Sequence, residues 1–433
     1  MPDAYKWHTS FDPVLQPSRQ RLTMRSLSLA IIAVSISFSV AAGEGGISIP
    51  LASRKRFTSK NGVANIPLLQ KHVSKSLDKV SRGLDAFERN TGVKHPLDTG
   101  NRPTKRATGT DPLTDDDDGS LWQGPISVGS PAKGFTVDFD TGSSDLFLPG
   151  VDCLLTCLGH TLYNPGASRV SSNTRQRFSL AFGDGSTVQG TLFNDTVTVA
   201  GLTATNQAVG ESSQYSTGFE KVNFPPDGLM GMGFEQISVF GRQPFFQTLV
   251  SRGVVTSPEF GVKLSTSGSE LFLGGADTSL FTGSLAEVPV TTVGFWEVTM
   301  DSINAAGRAA GSNLDSIIDT GTTLVIGDMD TVAALYAEIP GSADASDTAG
   351  PGFFTFPCDT DPAVSLTFAG KSFPISLDTF NLGMLEEGGT DCVGGVMAAS
   401  GLPSDFIVGD VFLQNVYTVF NVGNTTVGFA DLA

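Results

Sequence analysis

Apolar and polar positions alternate in several short runs, and each run predicts a strand with two unlike faces. Phe135, Val137 and Phe139 alternate with Thr136 and Asp138 and lead into Asp140. Thr196-Val-Thr-Val-Ala and Val416-Tyr-Thr-Val-Phe follow the same pattern. Helical spacing is rarer. Phe245, Phe246, Leu249 and Val250 predict one helix, and Met329, Val332, Leu335, Tyr336 and Ile339 predict another, with Asp328 as its N-cap. An amphipathic helix is predicted earlier: Leu69, Val73, Leu77, Val80, Leu84 and Phe87 recur at helical spacing, while Lys71, Lys75, Lys79 and Arg82 occupy another face. Further upstream, Leu27 to Ala42 is predominantly apolar, follows Arg25 and ends in small residues. That is the pattern of a secretory signal peptide cleaved after Ala42, and it is short for a spanning helix. A signal anchor is the competing reading. Residues 1–23 are polar and fit poorly ahead of such a leader, which makes Met24 an alternative start.

Composition supports a mostly β protein: 433 residues with fifty glycines, many Ser, Thr and Val, and few long charge-patterned helices. The length has room for two lobes and processing segments. Charge divides the chain. Residues 43–106 carry 13 Lys/Arg against 5 Asp/Glu, whereas residues 107–433 carry 10 against 37. So acidic a body argues against nucleic-acid binding and repels itself at neutral pH, which makes an acidic workplace the natural inference. The basic segment reads as a propeptide that docks on the acidic body, rather than as a membrane-binding helix. Lys105-Arg106 offers a dibasic cleavage site that would leave Ala107 as the new N-terminus. The expected organisation is a polar extension over 1–23 (or no translated segment), a signal peptide over 24–42, a propeptide over 43–106, an N-terminal lobe over 107–288 and a C-terminal lobe over 289–433. The acidic run Asp115–Asp118 is read as solvated surface.

The chemistry lies in a sentence stated twice. Val-Asp-Phe-Asp140-Thr-Gly-Ser-Ser and Ser-Ile-Ile-Asp319-Thr-Gly-Thr-Thr each place an aspartate after an apolar run, followed by Thr-Gly and two hydroxyl residues. Each has a later echo: Gly231 of Asp227-Gly-Leu-Met-Gly231 follows Asp140 by 91 residues, and Gly409 of Phe406-Ile-Val-Gly409 follows Asp319 by 90. Matched pairs at matched spacing predict an internally duplicated fold with one carboxylate from each half meeting at a pseudo-twofold axis. Gly142 and Gly321 let backbone amides approach the carboxylates, Ser143 and Thr322 can donate to their outer oxygens, and Thr141 and Thr320 can bond across the axis. Two carboxylates so close cannot both ionise readily; the pair holds one proton, so one member acts as base toward a water and the other as acid toward a carbonyl oxygen. That protonation belongs to the pair rather than to either residue. The cysteines fall as Cys153/Cys157 and Cys358/Cys392, one pair in each half, and read as two local disulfides or as free buried thiols. They form no Cys-x-x-Cys or Cys/His cluster, and neither a metal nor a cofactor is expected.

From about residue 119 to the end, the chain resembles the pepsin-like aspartic proteases. Asp227-Gly-Leu-Met-Gly231 and Ile407-Val-Gly409-Asp-Val-Phe resemble that family's hydrophobic-hydrophobic-Gly elements, and Tyr417-Thr-Val-Phe420 with Val427-Gly-Phe-Ala430 resembles its closing strands. The resemblance implies an all-β bilobal fold and endopeptidase activity on extended peptides with an acid optimum. It also implies pepstatin sensitivity, monomeric behaviour, and disulfides Cys153–Cys157 and Cys358–Cys392. Two departures stand out. The family usually has tyrosine in the flap where this chain has Phe182 (in Ala-Phe182-Gly183-Asp184-Gly-Ser186) and tryptophan where it has Phe147. Their polar ends share a hydrogen-bond network in the family, and losing both together avoids stranding one. The expectation is an active enzyme with a looser flap and altered turnover.

Asp184 resembles the flap acid that accompanies acceptance of lysine before the scissile bond in secreted fungal-type enzymes; its alternative is a solvated hairpin acid. Leu229 and Phe224 are pocket-wall candidates, and either can equally be core. Asn194-Asp-Thr and Asn424-Thr-Thr are glycosylation acceptors. Lys94 is one candidate for a propeptide cation that reaches the dyad, although the sequence does not single it out. Two readings compete with a secreted acid endopeptidase made as a zymogen. One is a catalytically weak binding or inhibitor protein on the same scaffold, and the other is the same enzyme retained in a vacuole.

Overall fold

The computed structural model of the chain describes residues 46–53, 57–59, 61–99, 121–182 and 185–433. The segments read as a polar extension and a signal peptide, together with Lys105-Arg106, Asp115–Asp118, Gly183 and Asp184, lie outside the described residues.

Strands dominate. The alternating run before Asp140 forms the strand Lys133–Asp140, with Phe135, Val137 and Phe139 buried. It pairs in parallel with Gly228–Gly231, which pairs antiparallel on its other side with Leu146–Pro149. The second half repeats the arrangement. Phe406–Val408 lies between Arg308–Ile318, in parallel, and Val325–Gly327, antiparallel. The two Asp-Thr-Gly turns and their distant echoes are therefore one supersecondary unit built twice. The expected helices form over Phe245–Ser251 and Met329–Ala337, and Asp328 caps the second by accepting from the Asp330 and Thr331 amides. Cys153–Cys157 and Cys358–Cys392 are both bonded.

A strand that the pattern analysis passed over, Ile47–Ser53, occupies the middle of the largest described sheet, which has thirteen strands. On one side it pairs antiparallel with Ser269–Leu273, and on the other with Trp122–Val128. Through Glu259–Lys263 the same sheet continues to Val416–Asn421 and Thr426–Leu432 at the C-terminus. It therefore runs across residue 289 as a continuous hydrogen-bonded unit.

After that strand comes the helix Ile66–Thr91. The Asn65 side chain accepts from the Leu68 amide at its start, and Gly92 closes it in the left-handed conformation, its amide donating to the Glu88 carbonyl. Leu69, Val80, Leu84 and Phe87 are buried as the spacing predicts, with Val73 and Leu77 packed at the edge of the core. Lys79 departs from the pattern: it belongs to the basic face, yet is buried.

Candidate active site

Asp140 closes its strand, and Asp319 directly follows Arg308–Ile318; both side chains are buried. Equivalent donors hold each carboxylate. The Gly142 amide donates to Asp140 Oδ1 (3.0 Å) and the Ser143 hydroxyl to Oδ2 (2.6 Å). In the other half the Gly321 amide donates to Asp319 Oδ1 (2.9 Å) and the Thr322 hydroxyl to Oδ2 (2.6 Å). Threonines lock the two turns together. The Thr141 amide donates to Thr320 Oγ1 (3.1 Å) and the Thr320 amide to Thr141 Oγ1 (2.9 Å). Each hydroxyl then donates into the opposite half, Thr141 to the Ile318 carbonyl and Thr320 to the Phe139 carbonyl.

The crossing is close enough to demand glycine. A Cβ on Gly142 would lie 2.5 Å from the Asp319 carboxyl, and one on Gly321 would lie 2.2 Å from Asp140 Oδ1. Each turn thus presses against the carboxylate of the other.

Directly over the pair sits Lys79 of the helix Ile66–Thr91. Its Nζ lies 2.9 Å from Asp140 Oδ1 and 2.6 Å from Asp319 Oδ2. Burial alone would raise both acids and lower the amine. For Asp140, the Lys79 ammonium and the Ser143 hydroxyl overcome burial and hold the carboxyl down to about 2. For Asp319, burial prevails, and the neighbouring Asp140 charge adds to it, so its carboxyl is raised. Burial also opposes the ammonium, but both carboxylates outweigh it and keep Lys79 raised. Ser76, one turn earlier, places its Oγ 2.9 Å from Thr322 Oγ1. Lys94 takes no part at the dyad: its side chain is mostly exposed and pairs with Asp98 at 3.6 Å. The cation that reaches the dyad is Lys79, fifteen residues earlier, because the helix lies across both turns and ends before Lys94.

Beside the dyad, the cleft is lined by Phe147, Leu180, Phe182, Leu229 and Ile237. Phe182 begins the turn between the strands Ser172–Ala181 and Thr187–Val199, and its amide donates to the Ser186 carbonyl (2.7 Å). The ring packs on Phe219 at 4.8 Å, and Phe147 meets Phe219 and Tyr215 edge-on. Where the resemblance expects a tyrosine–tryptophan hydrogen bond, this chain has a continuous aromatic cluster. From the helix, the Arg82 guanidinium lies 4.0 Å over the Phe182 ring and donates to the Ala181 carbonyl. Asp145 also lines the cleft, accepting from Ser238 Oγ (2.6 Å) and from the Val239 and Phe240 amides; burial pushes its carboxyl up to about 6.

Comparison with known proteins agrees with this geometry. The profile of the eukaryotic aspartyl protease family matches residues 122–432. The chain belongs to that family. An aspartic protease of Phaffia rhodozyma is 39% identical over 388 residues, covering 86% of this chain and 92% of the relative. Rhizopuspepsin of Rhizopus chinensis is 33% identical over 424 residues, covering 95% of this chain and all of the relative. Pepsin A of Sus scrofa is 37% identical over 319 residues, covering 72% of this chain and 81% of the relative. This aspartyl protease is thus an aspartic-type endopeptidase with the bilobal all-β fold, and its substrates are proteins and peptides.

Other expected residues fall variously. Leu229 lines the cleft, and Phe224 belongs to the aromatic cluster behind it. Asn424 is exposed in the turn joining Val416–Asn421 to Thr426–Leu432, whereas Asn194 is half-buried within a paired strand, opposite Ser172 and Ala208. Among the described residues no group of His, Cys, Asp and Glu is arranged to hold a metal, and no helix is long and apolar enough to cross a membrane. Sequence reasoning missed Lys79, Arg82 and Phe219. For Lys79 a signal existed: Ser76 and Gly83 flank it on the same helical face, a notch of small residues that lets the helix approach its partner.

Proposed function

We propose that this protease is made as a zymogen, with residues 43–106 as an inhibitory propeptide, and that Asp140 and Asp319 form its catalytic dyad. The observation that carries the proposal is the Lys79 ammonium bridging both carboxylates from a segment that precedes the protease body. Once the helix leaves, the two acids share one proton and a water takes the ammonium's place. The ionised acid draws a proton from that water as it attacks the peptide carbonyl, and the protonated acid donates to the carbonyl oxygen. The donors Gly142, Ser143, Gly321 and Thr322 fix both carboxyls while the charge shifts. Pepstatin-type inhibitors are expected to occupy the same cleft, and the enzyme is expected to act as a monomer, secreted or delivered to a vacuole.

Acid is the proposed trigger. In the docked propeptide His95 is buried, and that burial lowers its imidazole to about 4 from an ordinary value near 6.5. A base depressed in this way favours the docked state at high pH, and the advantage fades as pH falls from about 6.5 toward 4. Asp140, depressed to about 2, loses its contribution between about pH 4 and pH 2. Asp319 and Glu297, both raised by burial, act in the opposite sense and blunt the response. Acid release therefore depends on His95 and Asp140 outweighing them. Self-processing of the purified zymogen is expected to be at least about tenfold faster at pH 4 than at pH 7. Equal rates would contradict the trigger.

Two features concern selectivity and turnover. Lys75 Nζ lies 5.6–5.9 Å from the ring centroids of Phe182, Phe219 and Phe224, which supports a cleft that takes a lysine before the scissile bond, with Asp184 as the expected counter-charge. A cleavage profile without basic residues at that position near pH 5 would dismiss this. The paired substitution Phe182→Tyr with Phe147→Trp is expected to restore a polar link between flap and wall and to change kcat several-fold. Unchanged kinetics would remove the linkage between the two positions.

A further inference from the structure

On the outside of the cleft wall, the segment 153–158, pinned by the Cys153–Cys157 disulfide, turns three leucines toward solvent. Leu154, Leu155 and Leu158 are 74%, 87% and 78% exposed, and Val222 on the neighbouring loop is 55% exposed. Ordinary surfaces scatter single apolar residues; four together on adjoining loops form a patch. The loop is also held firmly. Its disulfide is buried in the same aromatic cluster as Phe147, Phe182, Tyr215, Phe219 and Phe224. His160 Nε2 lies 3.0 Å from the Phe219 carbonyl, and the Thr161 amide and Lys221 ammonium both donate to Asp227. The inner sides of these two loops back the cleft, and their outer sides carry the patch.

We propose that this patch is an accessory binding site for the protein substrate, engaging apolar surface of the molecule whose scissile segment lies in the cleft. The inference rests on the reading of the cleft given above. Its occupant follows from size and place. Four side chains fall well short of the roughly 800 Å² per partner that a stable interface buries, so the patch cannot hold a free partner or a second copy unaided. A weak contact becomes effective only on a molecule already tethered nearby, where its effective concentration is high. The molecule held nearby is the substrate. Chemistry points the same way. An accessory site built from this acidic body's carboxylates would lose its charge across the acid working range, whereas leucines do not titrate.

The test compares the mature enzyme with its Leu154→Ser/Leu155→Ser/Leu158→Ser variant on haemoglobin near pH 4 and on an octapeptide copied from one of its cleaved sites. The expected result is a KM-driven fall in kcat/KM on haemoglobin of about five- to tenfold, with the peptide unchanged within about twofold. Leu155→Ser alone, at the most exposed position, is expected to give a smaller loss with the same selectivity, and it serves if the triple variant folds poorly. Equal losses on both substrates, or none on either, would overturn the proposal. So would unchanged haemoglobin kinetics in a variant that has lost binding to phosphatidylcholine vesicles or self-association in sedimentation, since the patch would then serve lipid or a second copy. If the parent cleaves neither substrate, it is the reading of the cleft that fails, not the accessory site.

Discussion

Asp319→Asn is expected to abolish acid proteolysis, lowering kcat/KM on a protein substrate by about three to four orders of magnitude. An amide has no proton to share with Asp140 and cannot alternate between acid and base, so water activation stops although the shape is kept. The fold should survive. Asparagine keeps one oxygen to accept from the Gly321 amide, its NH2 can donate to the Thr322 hydroxyl in place of the second carboxylate oxygen, and the threonine lock between the halves is untouched. Asp140→Asn is expected to behave alike, because Gly142 and Ser143 hold that side chain in the same way. The check is initial rates on haemoglobin at acid pH together with circular dichroism. A folded Asp319→Asn protein that digests as fast as the parent would show that the two acids do not work as a pair.

Lys79→Met is expected to weaken the zymogen more than any other single change in the propeptide. Removing one partner of a buried charge cluster leaves the other charges uncompensated, at about 3–5 kcal/mol. Here two buried carboxylates would face each other beneath an apolar side chain. The penalty depends on pH. Lys79 holds Asp140 down to about 2, so the stabilisation it gives is fully present above the ordinary carboxylate range and is lost as pH falls through that value. The variant should therefore differ most from the parent near neutrality, where it should expose the cleft and mature without acid, and the two should converge at low pH. Lys94→Met is the control, since the Lys94 side chain is mostly exposed and pairs with Asp98 rather than with the dyad. Maturation followed by gel at pH 6–7 separates them. Parent-like latency in Lys79→Met would remove the ammonium from the inhibitory account.

What was legible in the sequence was whatever local period or repetition could carry. The doubled Asp-Thr-Gly sentence and its echoes required both halves to fold alike, and the paired strands Lys133–Asp140 with Gly228–Gly231 and Arg308–Ile318 with Phe406–Val408 are that requirement in space. The helix over Ile66–Thr91 followed from its apolar stripe. Lys79 was not legible by the same rule, because a lysine on the basic face of an amphipathic helix reads as solvated. What buries it is a pair of carboxylates 61 and 240 residues away, a tertiary fact whose one local trace is the small residues Ser76 and Gly83 on the same helical face. The strand Ile47–Ser53 was missed differently. Ile47, Ile49 and Leu51 alternate, but Pro50 interrupts the run, and the basic segment that follows reads as solvated. Phe219 was missed because one phenylalanine among thirty carries no mark of the wall it builds.

Two aspartates, one from each half, are proposed to activate water together in a cleft that the chain's own leader first blocks. This is tested most directly by pepstatin titration of the acid-matured protease digesting haemoglobin near pH 4. About one equivalent of inhibitor per protease is expected to abolish digestion, and Asp319→Asn is expected to show none to abolish. Digestion that persists at saturating pepstatin would contradict it.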